Sequence, residues 1–124
     1  MKTSFHTIAL AGLLGWTGFA IAAESPPAPD EHQVRRGKAV FDQWCVSCHG
    51  VGSRMAGTAS LEVKYGGSIP AALEQRKDMN ADFIRYFVRN GVLIMPAFRK
   101  TEVSDADLAA LSAYLSPKEA PNAR

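Results

Sequence analysis

Apolar residues recur at helical spacing in three stretches of this chain, and the first opens at Val34. Val34, Gly37, Phe41 and Trp44 fall three, four and three residues apart, with Arg35, Arg36, Lys38, Asp42 and Gln43 between them. That spacing marks one buried face of a helix. A glycine inside such a stripe costs helix stability, so its presence predicts close approach by another element. Asn80 suits the N-cap of a second helix over residues 81–90, buried through Phe83, Ile84, Phe87 and Val88 and stopped at Gly91. Ser104 caps a third, with Asp107 placed as in a capping box and Val103 and Leu108 as a hydrophobic staple. Leu108, Leu111 and Leu115 form its core stripe, Tyr114 flanks them, and Pro117 follows the end.

Between these stretches the pattern weakens. Residues 68–76 can form a short helix with Pro70 in its first turn, whereas residues 49–67 show no period and read as a long loop. Nothing alternates with period two over a strand's length. The predicted class is all-α, three to four helices with a core thin enough to need a cofactor at its centre.

The N-terminal stretch has a different character. Lys2 is the only formal charge before Glu24; an apolar run follows it, ending in Ala20-Ile21-Ala22-Ala23. This is the layout of a secretory signal peptide over residues 1–23, cut before Ala23 or Glu24. A retained anchor is the alternative, but the run from Ile8 to Ala23 is shorter than the roughly 20 residues of a membrane span. The expected organisation is a signal peptide at 1–23, a Pro-rich lead-in at 24–33, one domain at 34–116 and a tail at 117–124. The mature protein is then periplasmic, with no stable membrane span.

Composition narrows the function. A formal net charge of +2 over 124 residues is too balanced for a nucleic-acid binder. Hydrophobic content of 47% with 21% charged residues fits a globular domain. Two cysteines, Cys45 and Cys48, can neither build a disulfide framework nor complete a zinc site alone.

The chemistry therefore centres on Cys45-Val46-Ser47-Cys48-His49. C-x-x-C-H is the attachment signature of a c-type haem. Thiols three residues apart share one side of a helical turn and can add to two vinyl groups of one porphyrin edge. The next imidazole can then bind the iron. Three other readings compete: a redox dithiol, which needs a βαβ context; a zinc site using His32 as fourth ligand; and a plain disulfide, which leaves His49 without a role. For the sixth iron position the candidates are His32, Met55, Met79 and Met95. Met55 is too close in sequence to His49, Met79 fits the core beside Asn80, and His32 lies in the polar lead-in. Met95, ahead of Pro96 in an irregular stretch between two helices, is the expected ligand.

Gly37 and Phe41, then Cys45-x-x-Cys48-His49, then Met95-Pro96, then a terminal helix bearing Tyr114, together resemble the class I cytochromes c. The resemblance covers about Val34 to Leu115. It implies a small helical fold wrapped around one covalently attached haem c, with Cys45 and Cys48 as thioethers and His49 and Met95 as axial iron ligands. It implies contact of Gly37 and Phe41 with Tyr114. It also implies a single-electron carrier rather than an enzyme. The alternative is a haem enzyme or sensor in which Met95 dissociates to open the iron. Many class I members carry a proline soon after the haem histidine whose carbonyl accepts the ring N–H. Here none lies between His49 and Pro70, so a backbone carbonyl in Gly50 to Gly57 is expected to take that part.

Arg89-Asn90-Gly91, Met95-Pro96-Ala97-Phe98, Ala113-Tyr114-Leu115 and the run from Glu62 to Gly67 are similar to the cytochrome subunits of 4-cresol dehydrogenase and eugenol hydroxylase. That likeness implies a flavoprotein dehydrogenase as electron donor, with the respiratory chain beyond. Arg54, Lys64, Arg76 and Arg99 are candidate partners for the haem propionates or for a partner's acids. Val46, Ser47, Ala97 and Phe98 are the expected apolar contact rim.

Overall fold

The computed structural model describes residues 30–116. The expected signal peptide, all but the last four residues of the expected lead-in, and the C-terminal tail lie outside them. Five α-helices follow in order: α1 Glu31–Trp44, α2 Val46–His49, α3 Ala56–Tyr65, α4 Ala81–Asn90 and α5 Asp105–Leu115. One 3-10 turn, Leu73–Gln75, lies between α3 and α4. The all-α expectation stands; among the described residues the only β pairing is an isolated bridge between Val92 and Met95.

The ends of the domain pack on each other. α1 and α5 cross at Gly37, where a β-carbon would lie 2.0 Å from the Ala110 carbonyl oxygen and 2.7 Å from Tyr114 Cβ. The stripe needed a glycine there for that reason: any side chain would push the two helices apart. Beside the crossing, the fully buried Phe41 ring meets Tyr114 at a centroid distance of 6.0 Å and a tilt of 56°. Leu108, Leu111 and Leu115 of α5 and Ile84 and Val88 of α4 complete one cluster with Val40, Phe41, Met79 and Val103. The Arg36 guanidinium bonds Asp107 across the same helix pair at 2.8 Å.

The expected caps are present. Phe83 N–H donates to Asn80 Oδ1 at 2.8 Å, and Asp107 N–H donates to Ser104 Oγ at 3.1 Å. Gly91 closes α4 at φ 67°.

Three expectations change. α1 starts at Glu31, capped by Asp30, so the helix takes in the end of the stretch expected as lead-in. The helix expected over 68–76 is a single 3-10 turn; Pro70 cannot donate a backbone hydrogen bond, and the chain stays extended at Ala72 and Arg76. Conversely, α3 occupies part of the expected long loop. It buries only Thr58 fully, so it lacks the apolar stripe that periodicity detects. Its helix-forming Ala, Leu, Glu and Lys, and Gly66 at φ 55° as its stop, were the available signals.

Candidate functional site

The end of α1 hands the chain directly to the cysteine segment. Cys45 N–H still bonds Phe41 O at 2.9 Å, and the Cys45 carbonyl then accepts from Cys48 and His49 N–H at 3.1 and 2.8 Å. Cys45, Cys48 and His49 are thus gathered in one turn. The two cysteines are not bridged to each other. Cys45 is half-buried and Cys48 exposed; burial pushes the Cys45 thiol up to about 11, with Cys48 adding a smaller push in the same direction.

Cys45 and His49 face a cleft of about 190 Å3, or about 860 Å3 with its open mouth counted. Its lining is dominated by apolar side chains from α3, α4 and α5, and Met95 belongs to it. The turn that carries Met95 is closed by reciprocal bonds, Val92 N–H to Met95 O at 3.1 Å and Met95 N–H to Val92 O at 2.9 Å. Leu93 inside it holds φ 52°, an unusual conformation for a branched side chain. Past Pro96, Phe98 N–H returns to Val88 O at 2.8 Å, anchoring the loop to α4. Four of the expected features therefore meet in one place: the attachment turn, His49, Met95 and an apolar interior.

The other candidates separate. Met79, 3% exposed, is core as expected, yet it also lines the cleft, which thus holds two thioethers. His32 is exposed on the first turn of α1, and Met55 is the residue that opens α3; neither lines the cleft. Among the four cations, Lys64 and Arg76 reach it. Arg76 is buried, clamped by Asp78 at 2.9 and 2.5 Å, and stacked 5.0 Å from the Tyr65 ring centre. Arg54 is exposed away from the lining, and Arg99 pairs with Glu102 at 3.2 Å. No group of three or more His, Cys, Asp and Glu converges as a metal site among the described residues.

His49 departs from expectation. Its Nδ1 is buried and has no hydrogen-bond partner among the described residues, so no carbonyl of Gly50 to Gly57 accepts from it. The Gly50 carbonyl instead accepts from Thr58 Oγ1 at 2.7 Å. Burial lowers the His49 pKa, favouring the neutral imidazole that metals bind. The apolar rim also moves. Phe98 is half-buried and meets Trp44 edge-on, ring centres 5.9 Å apart, while Val46, Ser47 and Ala97 are exposed as expected. The largest apolar exposure beside the cleft is Leu93 at 99% and Ile94 at 81%. Thr58, Tyr65, Phe83 and Phe87 carry no site signal in the sequence. The two phenylalanines belong to an apolar stripe, but sequence does not say that part of that stripe faces a cleft rather than another helix.

The donor set, two thiols, one imidazole and two thioethers around an apolar cleft, fits a covalently held haem. Known proteins agree. The family described as "Cytochrome C oxidase, cbb3-type, subunit III" matches residues 32–115. The cytochrome c subunit of 4-cresol dehydrogenase (hydroxylating) from Pseudomonas putida is 31% identical over 110 residues, covering 86% of this chain and 80% of that protein.

Proposed function

From the premise that this chain belongs to the cytochrome c family, we propose that it is a periplasmic one-electron carrier whose haem iron is held by His49 and Met95 and which accepts electrons from a flavoprotein dehydrogenase. Haem c is the family's covalently bound cofactor, and it supplies one reversible electron. The carrying role follows from the family; the ligands, the compartment and the partner are this proposal.

One observation carries the ligand assignment: Cys45, His49 and Met95 line a single cleft. Cys45 and Cys48 would hold the porphyrin edge. His49, kept neutral by burial, would offer its other ring nitrogen to the iron. Met95 would supply a soft sulfur that favours the reduced metal and raises the potential. Its turn is braced on both sides, by the Val92 bonds and by the Phe98 return, which supports a retained ligand over one that dissociates. The apolar lining would keep water from the iron. Lys64 and Arg76 would meet the propionates' negative charge.

The donor proposal draws on the similarity to a dehydrogenase's cytochrome subunit. Exposed Leu93 and Ile94, next to Met95, are the apolar contact available for it. None of the described helices is long and apolar enough to cross a membrane, which fits a carrier working beside one. The deciding experiment replaces Met95 with Ala in the holoprotein. The potential should fall and the ferrous protein should bind carbon monoxide. An unchanged potential would transfer the ligand role to Met79. Rapid carbon monoxide binding by the unaltered ferrous protein would support the sensor reading.

A further inference from the structure

A histidine that binds a metal through one ring nitrogen almost always donates its other N–H to a carboxylate, carbonyl or water, which fixes the ring and raises its basicity. His49 has no such acceptor among the described residues, although its Nδ1 is buried. Within the segment expected to supply that acceptor, the Gly50 carbonyl accepts from Thr58 instead. Rotation about the Cβ–Cγ bond of histidine is soft. Without a hydrogen bond, packing must choose the ring plane.

The packing is there. A β-carbon on Gly57 would lie 2.7 Å from His49 Cε1, 2.8 Å from Nδ1 and 2.8 Å from Cys48 O. Each is closer than real β-carbons come, so only glycine lets the first turn of α3 rest on that edge of the ring. The neighbouring residue holds the turn down. Thr58, 5% exposed, donates its hydroxyl to Gly50 O at 2.7 Å, tying α3 to the residue that follows His49. We propose that Gly57 and Thr58 are positioning residues for the His49 imidazole, fixing its plane by steric fit in place of a hydrogen bond.

The inference rests on His49 as an iron ligand. An imidazole whose N–H has no acceptor is a weaker donor than a hydrogen-bonded one. The device would then set the orientation of the ring toward the iron.

The test compares holoprotein variants by proton NMR and electron paramagnetic resonance of the ferric state, by potential and by thermal stability. Gly57→Ala should change the pattern of haem methyl shifts and move the potential. Thr58→Val, which removes the tie without adding bulk at the ring, should shift the same signals. Thr58→Ser, which retains the hydroxyl, should restore the parent pattern. Gly66→Ala serves as control: its β-carbon would meet nothing within 4 Å, although its φ of 55° strains the residue. It should lower stability and leave the spectra alone. If Gly57→Ala yields no holoprotein, Thr58→Val decides. Parent-like shifts and potential in Thr58→Val, or in both variants, would overturn the device. Absence of iron-shifted histidine ring signals in the unaltered protein would overturn the ligation reading itself, and the device with it.

Discussion

The α1–α5 pair and the arc from Gly50 to Met79 put their apolar residues to opposite use. At the helix crossing, Phe41 and Ala110 are at most 1% exposed because protein covers them. Along the arc, Leu61, Tyr65 and Leu73 are half-buried and line the cleft. The crossing satisfies itself; the arc is arranged around something that is not polypeptide. Helical content alone does not separate them, since α3 is nearly as long as α5. What differs is the covering partner, and on the proposed reading the arc's partner is the cofactor.

Removing the cofactor's attachment should break the comparison most severely. With Cys45→Ser and Cys48→Ser together, haem should extract into acid acetone and most holoprotein should be lost. In what remains, amide exchange should accelerate through residues 50–79 far more than in α1 and α5. Equal loss in both regions would show that the crossing depends on haem as much as the arc does.

The two cleft methionines sharpen the contrast next. Met95→Ala should move the potential down by a sizeable part of the roughly 0.8 V range that axial ligands span. Met79→Ala should instead act as a core truncation, costing about 2–5 kcal/mol with the potential close to the parent's. Redox titration beside urea unfolding separates the two. A large potential change in Met79→Ala would reverse the assignment.

Gly37→Val probes the self-sufficient region. With the added carbon 2.0 Å from the Ala110 carbonyl, relief needs backbone movement, and the cost should reach about 3 kcal/mol, the upper part of the overpacking range. Thermal unfolding reads it, and the absorption spectrum of haem should change little. A neutral result would remove the crossing from the account of stability.

The same division explains what sequence could say. Gly37, Phe41 and the leucines of α5 announce the crossing because two helices bury stripes against each other, and a stripe is a pattern. Cys45, Cys48 and His49 announce the attachment because that chemistry needs a fixed spacing. α3 has no comparable signal. Val63 on its outer side is 87% exposed, and its inner side meets the cleft and the His49 ring, so its periodicity is diluted. Arg76 is equally silent in the sequence. A cation in a polar stretch reads as solvated, yet Asp78 and the Tyr65 and Phe83 rings let its guanidinium be buried. Those partners are identifiable only once the chain has turned back on itself.

The smallest effect expected concerns the charge that ties the crossing together. Asp107 accepts from Ser104 Oγ at 2.6 Å and from Arg36 Nε at 2.8 Å, and these bonds, the serine's first, hold its carboxyl below the usual range. A carboxyl lowered by folding adds stability at pH above its unfolded value, near 3.9, and that stability drains away as pH falls through the lower folded value. Arg36 is about half exposed, with 47% of its side chain accessible, so water screens the pair and the gain should stay within about 0.2–1 kcal/mol. Asp107→Asn retains the shape of the side chain and removes the charge. Its cost should be measurable by urea unfolding near neutral pH, shrink in high salt and fade as pH drops through the lowered folded value, where the parent carboxyl is itself protonated. A cost that does not diminish in acid or in high salt would mean that geometry, not charge, gives Asp107 its place at the crossing.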